Sequence, residues 1–514
     1  MPTAVLSLLC LLAGVFMVPA MAPWNLWPCM FAGFSALYFL LMKAETKRWA
    51  FMYGWLFGFG YFAAGLWWIA NALLVPGNEF SWVWPLAVAG LPALLAFFPA
   101  LASMAVVRWG GKMKRLSGFL CFIAAFALSE WLRGHIFTGF PWNLYGYAWG
   151  GWPAMMQADA LGGPYLLTLL TIGWAALPAF LWKSELTRRD KIATAACAMI
   201  LFAICAIYGT ARLSLASVQN HENVRVAIIQ PNIRQELKWS PEMAGENLRR
   251  LLMLSDPDGA EDENTVTLIL WPETAIDGSA LIHPQAREMI RDMLNAYPGN
   301  AYLATGIVRS ETPAEEGAQP RYFNSVMTLD KNLEVHDVYD KSHLVPFGEY
   351  IPFQEYLSLT PFVKFDGFTQ GPGTRSAAVK GLPRFSSLIC YEIIFPHAVT
   401  EPGVRPDFIL NVTNDAWYGD SPGPRQHLMQ TRFRAIEEGI AVLRAANTGI
   451  SALIDPYGRI IDMAGIYEES ALRTALPAAL AEMPPYARLG DSLFFCLACA
   501  ISIAVIILQR VKRT

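Results

Sequence analysis

Charged side chains are scarce in this sequence. Only 16% of its 514 residues are Asp, Glu, Lys or Arg, whereas 54% are hydrophobic, and the mean hydropathy is +0.33. Because an ordinary soluble domain carries about 25% charged residues, this scarcity indicates a protein with several membrane spans. The 39 basic and 42 acidic residues nearly balance. Basic runs interleaved with aromatics are also missing, so nothing indicates a nucleic-acid partner.

Cysteine is almost missing from the polar half of the chain. Cys390 is the only cysteine there, so that half cannot form an internal disulfide. The Cys496 and Cys499 pair lies within an apolar run rather than in a zinc-binding loop. We therefore expect no structural metal, and no motif indicates a cofactor. The other seven cysteines, all in apolar stretches, are Cys10, Cys29, Cys121, Cys197, Cys205, Cys496 and Cys499.

Eight apolar segments have lengths near the ~20 residues that cross a bilayer. They are Ala4–Val18, Leu26–Met42, Phe51–Val75, Trp82–Val107, Leu116–Leu132, Tyr165–Trp182, Ile192–Tyr208 and Leu493–Leu508. The first is short, and Ala20-Met21-Ala22 after it resembles a signal-peptidase site, so a cleaved signal peptide is one interpretation. No Lys or Arg precedes this run, which favours a retained helix.

Lys and Arg residues are concentrated in alternate loops. They occur in the stretches 43–48, 108–115, 183–191 and 510–513, whereas the connections 76–81 and 134–164 contain none. Because basic loops stay in the cytoplasm, both termini are predicted to be cytoplasmic. The long polar region then faces the periplasm or the outside of the cell. These features predict a multi-pass membrane protein.

In the polar region that follows the seventh apolar segment, charged residues become frequent and strand patterns appear, with helical stretches between some of them. This mixture predicts an α/β domain. The chain thus divides into a membrane domain with seven helices (1–215), a periplasmic domain (216–488), and a last helix with a basic tail (489–514). The predicted strands are Val224–Ile229, Val266–Leu270, Ala301–Ile307, Asn324–Leu329, Phe385–Cys390, Phe408–Val412 and Leu443–Ile454, and the predicted helices include Pro241–Ser255 and Pro284–Ala296. The apolar loop Tyr356–Phe365 is either core or an arm in the lipid interface.

Three polar residues follow apolar runs, as pocket residues at strand ends do. They are Glu273, Lys341 and Cys390. A thiol has a pKa of ~8.5 and needs a base to become a nucleophile at neutral pH. A carboxylate can supply that base, and an ammonium can stabilise the oxyanion of an attacked carbonyl. Taken singly, each residue has a simpler interpretation as an inert thiol or a surface charge. A Cys–His pair with His343 or His427 is the other chemical alternative.

Four motifs occur in a fixed order: WPE (271–273), DKSHLVPFGE (340–349), ICYE (389–392) and NDAWYG (414–419). Together they resemble the nitrilase, or carbon–nitrogen hydrolase, superfamily, whose members place a Glu–Lys–Cys triad on an αββα sandwich. The eight apolar segments and the loop Gly139-Phe-Pro-Trp142 extend the resemblance along the whole chain to the bacterial apolipoprotein N-acyltransferase family. We therefore expect a polytopic helical membrane domain joined to a nitrilase-like sandwich. The resemblance also implies a location in the bacterial inner (plasma) membrane, with the sandwich in the periplasm.

The resemblance assigns the chemistry. It implies that Glu273 is the general base, that Cys390 is the nucleophile, and that Lys341 stabilises the tetrahedral intermediate. Glu349 matches an additional carboxylate of the family, which would orient Lys341 or hold a proton. The backbone N–H of Tyr391 is expected to donate to the oxyanion.

Three more positions carry weaker expectations. Glu392, two residues after the thiol, is expected to support the triad. Trp239 and Trp417 resemble family aromatics near the substrate entrance, and ordinary packing is their alternative role.

In the membrane, Glu130 and Arg133 are one turn apart. They are expected either to pair with each other or to contact a lipid head group.

The implied reaction is ping-pong acyl transfer without a cofactor. Cys390 would take an acyl chain from a phospholipid, expected to be phosphatidylethanolamine. The thioester would then acylate the α-amino group of a diacylglyceryl-cysteine apolipoprotein, which completes lipoprotein maturation. Two alternatives stay open: a membrane-anchored amidase or lipid hydrolase with water as the acceptor, and a non-enzymatic lipoprotein-binding component.

Overall fold

A computed structural model describes residues 2–312, 319–350 and 367–510. The apolar loop Tyr356–Phe365 lies outside the described residues. The described chain forms a bundle of apolar helices and an α/β sandwich that packs against one end of it. The predicted combination of a helical membrane domain with an αββα sandwich is confirmed.

The bundle is built from the first half of the chain and the C-terminal helix. Its first helices are α1 (Thr3–Met17), α2 (Pro28–Leu41), α3 (Lys47–Leu66), α4 (Ala70–Leu73), α5 (Trp84–Leu95), α6 (Phe97–Trp109), α7 (Leu116–His135), α8 (Pro153–Met156), α9 (Asp159–Lys183) and α10 (Arg188–Ser214). The sandwich contains α11 (Gln235–Lys238), α12 (Ala244–Leu254), α13 (Pro284–Asn295), α14 (Pro422–Glu438) and α15 (Pro485–Leu489). The bundle is completed by α16 (Ser492–Arg510).

All eight predicted apolar segments are helical. Seven helical stretches in the described chain are long and apolar enough to cross a bilayer. They are Thr3–Ala20, Lys47–Leu73, Ser81–Trp109, Leu116–His135, Asp159–Lys183, Arg188–Ser214 and Ser492–Arg510. The second predicted segment forms α2, which has only 14 residues. The number of eight crossings therefore stays a prediction.

Small residues let the bundle helices approach closely. Gly14 of α1 faces α3, where an added Cβ atom would lie 1.9 Å from the carbonyl oxygen of Phe57. Gly60 of α3 faces α1 in the same way, with 2.3 Å to the carbonyl oxygen of Leu11. Backbones packed at this distance exclude any side chain, which is the usual device for joining helices in a membrane.

The sandwich contains two sheets. Their strands are β1 (Asn220–Gln230), β2 (Val266–Leu270), β3 (Ile276–Asp277), β4 (Asn300–Glu311), β5 (Arg321–Leu329), β6 (Val335–Asp340), β7 (Ser376–Ala377), β8 (Phe385–Ile389), β9 (Phe408–Thr413), β10 (Ala441–Ala446), β11 (Ser451–Ile454), β12 (Ile460–Ala464) and β13 (Ser470–Pro477). The first sheet has the order β13-β1-β2-β4-β5-β6, with β3 also paired to β4, and the second has the order β12-β11-β10-β9-β8-β7. The domain closes on itself because its last strand, β13, pairs with its first, β1.

Strand residues alternate between two apolar layers. In the second sheet, Leu410 and Leu443 point toward the first sheet and pack with its Leu268. Their neighbours Ile409 and Val442 point the other way and join the core that contains α14 and the membrane helices. The outer face of the first sheet is covered by α12 and α13. One layer of the sandwich is therefore continuous with the bundle.

The structure corrects two details of the predicted elements. The stretch Leu443–Ile454, predicted as one strand, forms the antiparallel pair β10 and β11 with a turn at residues 447–450. Helix α14 was not predicted, because its polar residues are buried and hide the usual apolar stripe. This helix lies between the second sheet and the bundle.

A buried glutamine of α14 joins the two halves of the protein. The Oε1 atom of Gln426 accepts hydrogen bonds from the indole N–H groups of Trp142 (2.8 Å) and Trp68 (3.2 Å). Both tryptophans belong to the bundle and both are buried. The Trp68 indole also donates to the carbonyl oxygen of Gly65. Among the described residues, the Trp142 indole N–H donates to Gln426 alone.

Replacing Gln426 by Leu removes the buried acceptor of the Trp142 N–H. We expect the Gln426→Leu variant to lose about 1–3 kcal/mol of stability, because a buried donor is left without a partner. The measurement is the apparent midpoint of thermal unfolding in detergent. Gln430→Leu, one turn further along α14, is the matched control, because the Oε1 atom of Gln430 accepts no hydrogen bond in the described structure. Equal effects of the two variants would contradict the assigned role.

Candidate active site

Cys390 lies at a strained turn between β8 and a short 3₁₀-helix, Cys390–Ile394. Its φ of 52° is in the left-handed region, which costs a residue other than glycine about 1–3 kcal/mol. Such a conformation persists only where the surroundings enforce it. The side chain is 7% exposed, at the boundary between the two sheets. The thiol thus lies at the end of a strand, as predicted, and is largely desolvated.

Glu273 and Lys341 come from the first sheet and meet near this turn. β2 and β6 run in the same direction, because β4 is parallel to β2 and antiparallel to β5, which is antiparallel to β6. Residues that follow β2 and β6 therefore emerge at the same edge. The Nζ atom of Lys341 lies 3.7 Å from Oε1 of Glu273, which also accepts a 2.8 Å hydrogen bond from Asn324. The structure therefore brings the expected base, Glu273, next to the expected oxyanion-stabilising ammonium, Lys341.

Glu349 fixes the Lys341 ammonium from the other side. Its Oε1 atom accepts from Lys341 Nζ at 2.8 Å and from Asn324 at 3.2 Å, and its Oε2 atom accepts from the Val345 N–H. Burial by itself lowers the pKa of Lys341, but the charges of Glu349 and Glu273 more than reverse this effect. The pKa of Lys341 therefore lies above its ordinary value, and the side chain is a permanent cation.

The Cys390 thiol is neutral at neutral pH. Its pKa is raised to about 12, because burial and the nearby Glu273 charge both raise it and together outweigh the opposing Lys341 charge. A preformed thiolate is thus a minor species. Attack by this sulfur requires that a base remove the proton as the new bond forms.

Glu392 holds the nucleophile turn to the Lys341 loop. One of its carboxylate oxygens accepts from the Tyr339 hydroxyl and from the N–H groups of Ser342 and His343 at 2.8–2.9 Å, and also from the Ser342 hydroxyl. The other oxygen accepts from the Ile389 N–H at 2.8 Å. Glu392 therefore connects two segments of the site and does not face Cys390 as a base.

Tyr391 ties the same turn to the membrane bundle. Its hydroxyl donates to the carbonyl oxygen of Gly139 at 3.1 Å. The loop that carries Gly139 is held by Arg133, which donates to the carbonyl oxygen of Trp142 at 2.9 Å and pairs with Glu130 at 2.6 Å. Both charged side chains are fully buried, so the predicted mutual pair is confirmed. Through Arg133, helix α7 of the bundle thereby positions Tyr391, the residue that follows Cys390.

Two aromatic side chains lie at the surface near the site. Trp239 is 50% exposed and Trp417 is 37% exposed, which is more than ordinary core packing allows. Sequence reasoning selected Trp239 but missed its neighbour Lys238. The Nζ atom of Lys238 donates to the backbone carbonyl of Glu273 at 2.8 Å. Burial lowers the pKa of Lys238 to about 8, although the charge of Glu273 opposes this shift. A second cation therefore borders the site, and only its position beside Trp239 could have suggested it.

Histidine is not the direct partner of the thiol. The Nε2 atom of His427 contacts the carbonyl oxygen of Cys390, at 3.2 Å, and the His343 ring stacks on Phe395. The Cys–His alternative therefore receives no support from these contacts. Within the described residues, no group of three or more His, Cys, Asp or Glu side chains is placed to hold a metal ion.

Comparison with known proteins agrees with these features. Residues 13–177 match the apolipoprotein N-acyltransferase N-terminal domain, and residues 225–484 match the carbon-nitrogen hydrolase family. A Rhodopseudomonas palustris protein named Apolipoprotein N-acyltransferase is 38% identical over 520 residues, which cover 98% of this chain and 95% of that protein. A Brucella melitensis protein of the same name is 40% identical over 489 residues, which cover 92% of this chain and 90% of that protein. A solved nitrilase-superfamily structure from Saccharomyces cerevisiae is 17% identical and has a TM-score of 0.36, over 49% of this chain and 90% of that protein.

Fold, site and comparisons define a class and then a family. The class is a membrane-embedded enzyme that carries a carbon–nitrogen hydrolase domain on a bundle of apolar helices. Within this class, the chain belongs to the apolipoprotein N-acyltransferase family. The resemblance inferred from the four sequence motifs is confirmed.

The charges around Cys390 predict opposite effects of two substitutions on thiol reactivity. Glu273→Gln removes a charge that raises the pKa of Cys390, so the thiolate fraction at a fixed pH should increase. Lys341→Met removes a charge that lowers this pKa, so the fraction should decrease. The measurement is the rate of alkylation by iodoacetamide at the Cys390 peptide, followed by mass spectrometry at pH 7–9. In the wild type this rate should rise about tenfold per pH unit, because the whole range lies below a pKa of about 12.

A change in the same direction for both variants would contradict this electrostatic account. Cys499, on the membrane helix α16, provides an internal control in detergent, because its alkylation should not respond to either substitution.

Proposed function

We propose that the protein transfers an acyl chain from a membrane phospholipid, expected to be phosphatidylethanolamine, to an apolipoprotein. The acceptor is the α-amino group of the N-terminal diacylglyceryl-cysteine. The observation that carries the proposal is the meeting of Glu273, Lys341 and Cys390 at one edge of a sandwich whose core continues into a membrane bundle. Both proposed substrates carry lipid chains, and a nucleophile in a domain that packs directly on a membrane bundle suits such substrates.

In the first half-reaction, Glu273 takes the proton of the Cys390 thiol while the sulfur attacks the ester carbonyl carbon. The carbonyl oxygen becomes an oxyanion, which the Lys341 ammonium and the Tyr391 N–H stabilise. Collapse of this intermediate breaks the carbon–oxygen bond to the glycerol. Glu273 gives its proton to the leaving oxygen, and a lysophospholipid departs. The acyl chain remains on Cys390 as a thioester.

In the second half-reaction, the lipoprotein amine attacks the thioester carbon. Glu273 accepts a proton from the nitrogen, and the same two donors stabilise the second oxyanion. The carbon–sulfur bond then breaks, and the proton returns from Glu273 to the sulfur. The products are an amide and the free thiol, so the cycle needs no cofactor.

The surrounding residues support these steps. Glu349 holds the Lys341 ammonium at 2.8 Å, and Glu392 keeps the Lys341 loop against the nucleophile turn. Trp239 and Trp417, both partly exposed, offer aromatic surface to the incoming acyl chains or lipopeptide. They are the expected substrate-contacting residues.

We further propose that residues 216–488 form the periplasmic domain, between membrane residues 1–215 and the last helix with its tail, 489–514. The basic loops that follow α6 and α9 lie together, because the Glu185 N–H donates to the carbonyl oxygen of Lys114. The opposite end of α7 carries the Gly139 loop, which contacts the sandwich. The basic loops are therefore remote from the site, as expected if they and both termini are cytoplasmic.

A paired cysteine experiment tests this orientation. Glu45 lies in a basic loop and Glu263 lies in the sandwich, and both are exposed. A membrane-impermeant maleimide, applied to cells with a permeabilised outer membrane, should label a Glu263→Cys variant. A Glu45→Cys variant should react only after the inner membrane is opened. Labelling of Glu45→Cys in intact inner membranes would refute the orientation.

The transfer reaction is tested with the full chain reconstituted in vesicles that contain acyl-labelled phosphatidylethanolamine. Without an acceptor, label should accumulate on Cys390 and reach a plateau. Added diacylated lipopeptide should then remove the label as an amide. Cys390→Ala should abolish both steps, whereas Cys496→Ala, which changes an exposed thiol of α16, should leave both intact. Release of free fatty acid at an equal rate without lipopeptide would favour the hydrolase alternative and refute transfer.

A further inference from the structure

A buried polar cluster lies directly behind the nucleophile turn. It consists of His427 on α14, Asp415 after β9 and Arg444 on β10, and none of the three is more than 1% exposed. Arg444 donates to Asp415 Oδ2 at 2.6 Å, and His427 Nδ1 lies 3.0 Å from Asp415 Oδ1. His427 Nε2 lies 3.2 Å from the carbonyl oxygen of Cys390. The transfer chemistry described above uses none of these side chains.

The contacts define which nitrogen of His427 carries the hydrogen. A carbonyl oxygen only accepts, so Nε2 must donate to Cys390. Nδ1 also lies 3.1 Å from Arg444 Nη2, which can only donate. Burial and the Arg444 charge lower the pKa of His427, while Asp415 opposes them. The hydrogen on Nε2 is therefore required in either state of the ring, whereas Nδ1 accepts from Arg444 when the ring is neutral and donates to Asp415 Oδ1 when the ring is protonated.

The bond to the Cys390 carbonyl also orients the next N–H group. The Cys390 C=O and the Tyr391 N–H belong to one planar peptide unit, in which the two bonds point in opposite directions. When His427 holds the oxygen on the α14 side, the Tyr391 N–H must point to the other side of the turn. This N–H lies in the first turn of the 3₁₀-helix Cys390–Ile394, where backbone donors have no partner within the helix.

The turn itself does not fix this orientation. Cys390 has a φ of 52°, which a residue other than glycine leaves unless contacts hold it. The Cys390–Tyr391 peptide can also rotate through ψ of Cys390 and φ of Tyr391 without changing that φ, and such a rotation would swing the N–H away. The His427 bond opposes this rotation.

We propose that His427, held by Asp415 and Arg444, is a positioning residue that aims the Tyr391 N–H at the oxyanion. It acts through the Cys390 carbonyl and touches neither the thiol nor the substrate. The inference rests on the proposed function, because only a reaction at a carbonyl needs this donor.

A merely structural role of the cluster predicts something different. If His427 only joined α14 to the second sheet, its loss would disturb every reaction of Cys390 alike. If it positions the oxyanion donor, only reactions that form an oxyanion should suffer. Alkylation by iodoacetamide is displacement at a saturated carbon and forms no oxyanion, so it separates the two cases.

Two amide substitutions supply a matched pair. The amide nitrogen of His427→Gln takes the place of Nε2 and can still donate to the Cys390 carbonyl. The amide of His427→Asn is shorter and takes the place of Nδ1, where it can contact Asp415 but not Cys390. Both replace a buried ring by an amide. His336 lies on β6, outside the cluster, and its ring pairs with Asp330. The His336→Gln variant is the control for the loss of an imidazole outside the cluster.

The full-length variants are compared in detergent by two rates: single-turnover transfer of label from phosphatidylethanolamine to Cys390, and alkylation of Cys390 by iodoacetamide. In His427→Asn, acyl transfer should fall about 10²–10³-fold, the effect of losing one oxyanion donor. Its alkylation should stay within about twofold of the wild type. His427→Gln should recover most of the acyl transfer, and His336→Gln should match the wild type.

Three results would overturn the inference. In the first, His427→Asn acylates at the wild-type rate. In the second, both rates fall in parallel, which indicates a disturbed turn. In the third, His427→Gln is as slow in acyl transfer as His427→Asn. A wild-type chain that takes up no acyl group would instead refute the proposed function itself.

Discussion

The structure depends on a catalytic domain and a membrane bundle that share one core. Helix α14 lies in that core and contributes buried polar side chains to it, such as Gln426. A sandwich attached only by linkers could tilt or lift away from the bilayer. Here the second sheet, α14 and the membrane helices pack as consecutive layers. The position of Cys390 relative to the lipid is therefore set by packing rather than by tether length.

The site combines three charges and one neutral thiol from the segments that follow β2, β6 and β8. Lys341 lies between Glu273 and Glu349, which keeps it cationic while it stays buried. The thiol remains protonated because it is desolvated and close to a carboxylate. A resting site of this kind avoids a standing thiolate, which oxidants and other electrophiles would consume.

Much of this could be predicted from sequence because the informative residues follow apolar strands. Glu273, Lys341 and Cys390 are candidates for that reason, but only the resemblance of the four motifs to a known family assigns them to one site. The apolar helices follow from hydropathy alone. Helix α14 could not be predicted, because its polar residues are buried and remove its apolar periodicity. The left-handed backbone of Cys390 also leaves no trace in composition, since it arises from contacts with distant residues. Lys238 was missed because a single lysine near a tryptophan has no pattern of its own.

The pairing of β1 with β13 has a consequence for how the chain is assembled. The two ends of the sandwich are joined by hydrogen bonds, including one from the Ala478 N–H to the carbonyl oxygen of Gln219. A domain whose ends are adjacent can be inserted into a loop without separating the helices that flank it. The loop between α10 and α16 can thus carry the whole sandwich. The pairing also means that β1, although made early, must wait for β13 to emerge shortly before the last helix. Synthesis of the sandwich and insertion of that helix are therefore consecutive events.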